Sequence, residues 1–535
     1  MPKPVYLTTP LYYVNAAPHI GHSYTEVVAD CLARYHRAKG AEVFLLTGTD
    51  EHGQKIEQAA AAAGKTPQAF VDDVVQHFQK LWQLLNIQYD DFIRTTQPRH
   101  VQAVQQILTT LRDRGALTHA SYQGWYCTPD ETFWTEAELH QAPGQAAPLC
   151  PQCQRPLEPV KEEGWHLPLR AHQPWLKAYV ESHPDFVWPE SRYNELKALL
   201  EQPLPEFLSI TRPKHRVAWG IQVPFDPDHV VYVWVDALLN YITVPGYRGE
   251  DPPSESFTRL WPARCHIIGK DILRHHALYW PILLHVLGFA DDQIPRIVTH
   301  GWWKVGEQKM SKSLGNIVNP LVVIREVLKG QPYAADIYRY FLLREVPFGQ
   351  DGAFSEEALL GRLNADLAND LGNLVNRTLS MLERYCHGVI PAVATIGCAV
   401  EDEPLQRTAL QLSRRVELAT EQFAFSNALE AVMQLVSQAN QYVEAVTPWK
   451  LAKQPDQAKR LQMVLGALAE VVRIVAIVLE PFMPSVSGAI WRQLGCGDRP
   501  RQLEDAARWG ALPVGQRIGE HPVLFPKPEM MKTTS

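Results

Sequence analysis

The sequence carries no excess of positive charge: across 535 residues, 51 lysines and arginines face 58 aspartates and glutamates, a net of −7. That excludes a protein held to nucleic acid by global charge alone, while leaving room for a local basic patch. Long apolar runs are scarce as well. The most apolar later stretches, 278–290 and 471–479, are short and interrupted by His285 and Arg473, so neither is expected to span a bilayer. The first ten residues lack the charged, apolar and small-residue succession of a secretion signal, which makes a cytoplasmic protein the expectation. Cysteine is sparse, and only Cys127, Cys150 and Cys153 are closely spaced. A disulfide framework is therefore disfavoured and a metal knuckle is the better reading.

Hydrophobic residues make up 46% and charged residues 20% of the chain, the balance of a globular protein. Its length calls for several domains. Val5 to Thr9 reads as a buried strand, followed by a loop ending at His19-Ile20-Gly21-His22 and a helix from Ser23 to Ala38. Val43 to Leu46 is a second buried strand, with Gly48-Thr49-Asp50 at its end and a helix beyond. This rhythm predicts an α/β fold with a doubly wound parallel sheet of Rossmann type, ligands binding at the carboxyl ends of its strands. From about Gly124 to Pro213 the rhythm breaks into a segment rich in Pro, Trp and Gln, an insertion with its own small fold. The α/β pattern resumes at 230–236 and 265–269; after about Ser355 only helical patterns remain.

Two short motifs carry chemistry. The His19-to-His22 string lies where a first strand passes into a helix, and helix N-termini bind anions. Gly21 would allow close backbone approach, and the imidazoles would donate to phosphate oxygens; the alternative is two histidines that merely cap the helix. Far downstream, Lys309-Met310-Ser311-Lys312-Ser313 offers two ammonium groups suited to a triphosphate undergoing displacement. The Gly64-Lys65-Thr66 string is not a phosphate loop, because Ala59 stands where such a loop needs glycine; it reads as a helix stop before Pro67.

With these motifs in this order, the chain resembles the class I aminoacyl-tRNA synthetases, and within them the methionyl family. The landmarks are Pro10-Leu-Tyr-Tyr-Val-Asn15, Thr47-Gly-Thr-Asp-Glu-His-Gly53, Tyr232-Val-Trp-Val-Asp-Ala237, Ile268-Gly-Lys-Asp271 and the Lys309–Ser313 string, over a likeness running from Val5 to about Pro484. The resemblance implies ATP with Mg2+ and L-methionine as substrates, methionyl-adenylate as intermediate, and transfer to the 3'-terminal adenosine of tRNA(Met). It implies that His19, His22, Lys309 and Lys312 act on the phosphates, and that Gly21, Gly269, Lys270, Asp271 and Ser311 help bind ATP. Methionine's ammonium group would meet Asp50 and the Leu11 backbone. Tyr13, Trp234, Ala237, Leu238, Tyr241, Ile272 and His276 would line its side chain, aromatic walls suiting a polarizable thioether. Read by itself, Asp50 at a strand end can also serve as a cap for the following helix.

Cys127-x-x-Asp130 and Cys150-x-x-Cys153 resemble the zinc knuckle of the family's connective insertion, with Asp130 where a cysteine is usual. Three thiolates and a carboxylate are a reasonable structural Zn2+ set, although the harder oxygen ligand leaves a weak or empty site as the alternative. In the helix beginning near Glu356, Leu363, Leu367, Leu371 and Leu374 form an apolar stripe, with Asn369, Asn373 and Arg377 on another face. That row and Trp449 resemble the family's anticodon-reading set, implying recognition of a CAU anticodon by stacking and hydrogen bonds; a core position for Trp449 is the alternative. The expected organisation is a catalytic domain in two halves (1–120 and 214–290) around a connective insertion (121–213). A Lys-Met-Ser-Lys-Ser and stem-contact region (291–355), an α-helical anticodon-binding domain (356–515) and a tail (516–535) follow. The chain has no room for the C-terminal dimerisation module of some relatives, so a monomer is expected.

Other class I synthetases are the nearest rivals. The isoleucyl, valyl and leucyl enzymes need an editing insertion longer than this chain offers, and a cysteinyl enzyme would place a cysteine before His19. A non-catalytic synthetase-derived tRNA-binding protein is disfavoured by the intact motifs, and a small nucleotidyltransferase by the helical region.

Overall fold

The computed structural model describes residues 3–134, 136, 139, 147–151, 153–250, 252–306, 308–309, 317–392, 402–497 and 499–527. The chain divides into two compact units. The first comprises residues 1–18, 43–80 and 88–300, and the second residues 19–42, 81–87 and 301–535.

The first unit begins with β1 (Val5–Thr8), β2 (Tyr12–Tyr13), β3 (Val43–Asp50) and β4 (Asp91–Arg94). The inserted region supplies β5 (Thr118–Cys127), β6 (Thr132–Trp134), β7 (Glu158–Pro168), β8 (Val187–Trp188), β9 (Phe207–Ser209) and β10 (Thr211–Pro213). Then come β11 (His229–Val231), β12 (Cys265–Gly269) and β13 (Arg296–His300). Seven of them make a parallel sheet in the order β2-β3-β1-β12-β13-β8, with β4 also on β3. The order reverses between β1 and β12, the switch point where such sheets open a crevice for ligands. Gly48 lets β4 approach β3, since a Cβ there would sit 1.9 Å from the Ile93 carbonyl oxygen.

The insertion forms its own antiparallel sheet, β6-β5-β7-β9, as its broken rhythm implied. One piece departs from that reading: β8, only two residues long, leaves the inserted sheet's company and pairs with β13. A second departure concerns Val230 to Asp236, where the β-branched run suggests a strand. Only His229–Val231 is extended, pairing antiparallel with β10, and a helix runs from Val233 to Thr243. Burial on nearly every side overrides the strand propensity of its valines.

In the second unit the helix Ile20–Ala38 starts three residues before the expected Ser23. Its buried Asp30 takes Arg34 Nε and Arg339 Nη1, each at 2.7 Å. Arg339 also donates to the carbonyls of Leu85, Pro481 and Phe482, and Arg34 to that of Asn86 and to Glu480. Two guanidiniums are thus buried with their charge answered and their hydrogen-bonding capacity used. Beyond the short strand Gly352–Phe354 the unit is helical. The helix expected from Glu356 is continuous but wound in two ways: α over Glu356–Arg362, π over Leu363–Gly372, α again over Asn373–Cys386. The four leucines of its stripe are all buried. Residues Pro455–Leu479 are long and apolar enough to cross a membrane, more so than 471–479 suggested, but 89% of that window is buried inside the protein. It also carries a buried Arg473–Glu470 ion pair, as a packed core helix can and a lipid-facing one rarely does.

Asp30 is the expected weak point of the second unit. Asp30→Ala leaves the buried Arg339 guanidinium without the Asp30 carboxylate and Arg34 with Glu480 alone, and should cost about 3–5 kcal/mol. Denaturant unfolding of the full chain, compared with the wild type, measures it.

Candidate active site and metal knuckle

Asp50 ends β3 facing Tyr13 of β2 in register. It is 6% exposed, and its Oδ1 has no hydrogen-bond partner among the described residues. Burial, then the nearby Asp236 and Glu131 carboxylates, push its pKa well up, against one backbone N–H donated by His52. The helix after β3 starts at Gln54 with Gly53 as its cap, so Asp50 is not a capping residue. A buried carboxylate with an open oxygen and raised pKa is one that a ligand cation would restore to its ionised form.

The pocket helix Val233–Thr243 brings Trp234, Ala237, Leu238 and Tyr241 onto one side at helical spacing. Leu238 and Tyr241 are buried in the core cluster against which Leu11, Tyr13, Trp234 and Ile272 pack. His276 lies on a π-helical turn, His275–Tyr279, a geometry frequent at functional sites. Its Nδ1–H donates to the Ile272 carbonyl at 2.9 Å, so Nε2 accepts from Tyr241 Oη at 2.8 Å. Trp234 stacks on His275 at 3.7 Å between ring centroids. All nine expected methionine-site residues fall in the first unit, as do Gly269, Lys270 and Asp271 at the carboxyl end of β12.

Two supports were missed from sequence. Asp236 is fully buried on the pocket helix, with His52 Nδ1 at 2.7 Å and His100 Nε2 at 2.8 Å. Burial raises its pKa, but the two histidines more than offset this and hold it below the usual carboxylate range. His52 therefore ties Asp50, through its backbone, to the pocket helix, through its ring. His52 and Asp236 both stand in the quoted landmarks; nothing near His100 signals its part. Glu131 is the second support. Its carboxylate accepts from Tyr13 Oη, Tyr126 Oη and the Lys55 N–H at 2.8–3.0 Å, and its carbonyl accepts from Tyr232 Oη. Gly53, at φ +104, makes room for this pair, since a Cβ there would lie 2.7 Å from Tyr13 Oη and 2.9 Å from Glu131 Oε1. Glu131 follows Asp130 in sequence, the one hint of its position.

The side-chain ligand atoms of Cys127, Asp130, Cys150 and Cys153 lie within 4.8 Å of one another. Cys127 Sγ is 3.4 Å from Asp130 Oδ2 and from Cys153 Sγ, and Cys150 Sγ is 3.2 Å from Asp130 Oδ2. Ligands about 2.0–2.3 Å from one tetrahedral zinc stand roughly 3.3–3.8 Å apart, so this donor set fits such an ion with little adjustment. Burial pushes the Cys153 thiol up to about 11; a bound cation would reverse this by favouring the thiolate.

In the second unit His19 caps the helix Ile20–Ala38. Its Nδ1 accepts from the Gly21 N–H at 3.1 Å, while His22 Nδ1 accepts from the His19 N–H at 3.2 Å. The rings stack at 3.7 Å, and a Cβ at Gly21 would meet the His19 ring at 2.9 Å. Capping and phosphate binding are therefore not alternatives: accepting at Nδ1 fixes the neutral proton on Nε2 of both rings, making each Nε2–H a donor. Lys309 lies on the short strand Gln308–Lys309. Ser311 and Lys312 lie outside the described residues.

Asn369 is exposed at the end of the π-helical stretch, and Asn373 Nδ2 donates to Asn440 Oδ1 at 3.3 Å. Arg377 pairs with Glu444 at 2.7 Å and lies over the Trp449 ring at 5.6 Å. Trp449 is half-buried on the short helix Pro448–Leu451, not a core residue.

The neutral histidines of the pocket make a pH prediction. Burial holds His276 down to about 4, and His266 and His275 well below their ordinary value. Such groups contribute stability that is full above the unfolded pKa near 6.5 and is lost as pH falls toward the folded one. For His276 the loss between pH 7 and pH 5 should be about 2 kcal/mol. In His276→Gln the difference between unfolding at pH 7 and at pH 5 should shrink by about that amount, measured by denaturant titration at both values.

Comparison with known proteins identifies the family. Residues 5–379 match the family model for class I tRNA synthetases (M), and residues 407–509 the anticodon-binding domain of tRNA ligase. The methionine–tRNA ligase of Caldanaerobacter subterraneus subsp. tengcongensis is 44% identical over 99% of this chain and 80% of its own length. That of Clostridium perfringens is 44% identical over 98% and 78%. Among solved structures, Mycobacterium tuberculosis methionyl-tRNA synthetase in complex with methionyl-adenylate superposes with a TM-score of 0.91 at 40% identity, covering 98% of this chain and 100% of that one. Its free form gives 0.84 at 36%, covering 98% of each. The chain belongs to the methionyl-tRNA synthetase family of class I aminoacyl-tRNA synthetases.

Proposed function

We infer that this protein is a methionine–tRNA ligase. It activates L-methionine with ATP to methionyl-adenylate and pyrophosphate, then transfers the methionyl group to the 3'-terminal adenosine of tRNA(Met). The observation that carries the reading is Asp50, whose buried, open oxygen at the end of β3 is matched to a ligand ammonium group beside an apolar, aromatic pocket.

In this reading the Leu11 backbone shares the ammonium group. Tyr13, Trp234, Ala237, Leu238, Tyr241, Ile272 and the neutral His276 accommodate the thioether. Methionine's carboxylate attacks the α-phosphorus of Mg2+-bound ATP, and pyrophosphate leaves. No protein nucleophile is needed, so catalysis rests on positioning and charge stabilisation. His19 and His22 donate from Nε2 to phosphate oxygens, and Gly21 leaves the backbone open to them. Lys309, Ser311 and Lys312 hold the leaving pyrophosphate, while Gly269, Lys270 and Asp271 serve the nucleotide. Cys127, Asp130, Cys150 and Cys153 would hold a structural Zn2+, which with four protein ligands keeps no open position. The half-buried Trp449 stacks on a base of the CAU anticodon, with Asn369, Asn373 and Arg377 as hydrogen-bonding partners. A monomer acting in the cytoplasm completes the proposal.

Amino-acid-dependent ATP–pyrophosphate exchange tests the core of it. Methionine should stimulate exchange; stimulation by leucine, isoleucine or cysteine instead would overturn the specificity, and by none the enzymatic reading. Asp50→Asn is isosteric and removes a buried charge, so the fold should hold. It loses a charge-assisted pair worth about 2–5 kcal/mol, so kcat/KM for methionine in exchange should fall about thirtyfold or more. Trp449→Ala should leave exchange unchanged and slow tRNA charging about fivefold or more, a stacked base being worth about 1–3 kcal/mol.

A further inference from the structure

A second constellation of metal-ligating side chains lies apart from the knuckle. His119 on β5, Asp226 in the turn before β11, and His229 at its first position offer ligand atoms all within 4.8 Å of one another. The main sheet's ligand crevice uses none of them.

The state of His229 is what makes the cluster more than a chance grouping. Its residue is only 7% exposed. Nε2 lies 3.1 Å from the Glu163 carbonyl oxygen, and a carbonyl only accepts, so Nε2 must carry a proton. In the neutral ring Nδ1 is then a lone pair. It stands 2.9 Å from Asp226 Oδ2, but not in the line of a hydrogen bond, and makes none among the described residues. With Nδ1 unprotonated, two electron-rich atoms face each other in a largely buried place, and a cation between them would answer both. Two ligands about 2.0–2.1 Å from one tetrahedral ion are roughly 3.3 Å apart, so the 2.9 Å found here needs to widen by only a few tenths of an ångström. A histidine that binds metal through one nitrogen characteristically donates its other N–H to a backbone carbonyl, as His229 does to Glu163.

The carboxylate is oriented in the same fashion. Asp226 Oδ2 accepts from the Trp165 indole N–H at 3.0 Å, and Oδ1 from the Asp228 backbone N–H at 3.1 Å. His119 faces Trp165 across the β5–β7 pair, its ring edge-on at 5.2 Å, and stands perpendicular to the His229 ring at 6.2 Å between centroids. His119 is exposed, so a rotamer change can bring it in without disturbing packing.

We propose that His119, Asp226 and His229 form a second metal site, taking a divalent transition ion such as Zn2+ through two imidazole nitrogens and one carboxylate oxygen. Two nitrogens and an oxygen select such ions over Mg2+ or Ca2+. The ion clips β5, the first strand of the inserted sheet, to the turn that leads into β11 and the pocket helix.

Full-length protein stripped with chelator and loaded with Co2+ separates this site from the knuckle. An ion at the knuckle absorbs by thiolate-to-cobalt charge transfer, whereas one at His119/Asp226/His229 shows only ligand-field bands. The wild type should bind an ion without the charge-transfer band, and Zn2+ should displace it. His119→Ala removes an exposed side chain, so the fold is retained; it should weaken that ion's binding tenfold or more in equilibrium dialysis, leaving the charge-transfer band untouched. His77→Ala, an exposed histidine elsewhere, should change nothing. The proposal is overturned if the wild type holds no ion beyond the thiolate-bound one. It fails equally if His119→Ala and His77→Ala bind alike, which would mean scattered surface histidines are responsible.

Discussion

Two carboxylates, Asp50 and Asp236, are buried close enough to raise each other's cost of ionisation, and the pocket is organised around that conflict. Neither can be left both charged and unpaired in a low-dielectric interior. Asp236 resolves its share within the protein, through His52 and His100. Asp50 keeps an open oxygen and its raised pKa. An ammonium group entering beside it gains from Asp50 directly and from the field of Asp236 behind it. An anion or a second carboxylate would meet both. In the proposed function this favours the amino end of an amino acid before any side-chain contact is made, and His52, bonded to both acids, ties the two together.

The histidines of the pocket are neutral by construction. His276 is pinned between the Ile272 carbonyl and the Tyr241 hydroxyl, each of which uses one ring nitrogen. Behind Tyr241, His266 accepts from the Trp280 indole and donates to Thr8 Oγ1. Burial makes protonation of these rings costly, and their hydrogen bonds satisfy them without charge. A polarizable, uncharged side chain is accommodated by such walls, and a charged one is not. The inserted sheet reaches the same place from outside. Glu131, next to the knuckle's Asp130, receives the hydroxyl of Tyr13, and the Asp130 carbonyl lies 3.4 Å from the Trp234 indole nitrogen. Order in the knuckle loop is therefore order at two pocket walls, which explains why a structural metal would sit beside a site whose chemistry does not use it.

The sequence disclosed the sheet, the insertion and the helical region because each has its own hydrophobic period. Asp50 is singled out by the family resemblance; its position at a strand end, taken alone, allows a helix cap as well. Val230 to Asp236 suggests a strand, yet only its start is extended and a helix begins at Val233, because valines beside aromatics look alike in a buried strand and in a helix buried on nearly every side; only tertiary packing separates the two. The two-residue β8 lies below the length at which alternation can be seen. Glu131 and His100 act through contacts spanning more than a hundred residues to Tyr13 and Asp236, and no local pattern encodes such partners. The π-helical turns at His275 and Leu363 are likewise invisible, since the i to i+5 bonding that defines them leaves composition unchanged.

The histidine pair at the start of the helix Ile20–Ala38 shows how one local structure can answer two demands. Helix N-termini leave backbone N–H groups without partners, and Ser, Thr, Asp or Asn would cap them well. Histidine does the same work here through Nδ1, and its ring carries a second polar atom, Nε2. Capping spends the acceptor and thereby forces the donor to be Nε2–H, on both rings at once and with the rings stacked. In the proposed function these two donors at the positive end of a helix meet a phosphate that gains charge during displacement. Asp30, three turns along the same helix, fixes its body through Arg34 and Arg339, so the donors are presented from a rigid support. A serine cap would have stabilised the helix and offered the phosphates nothing.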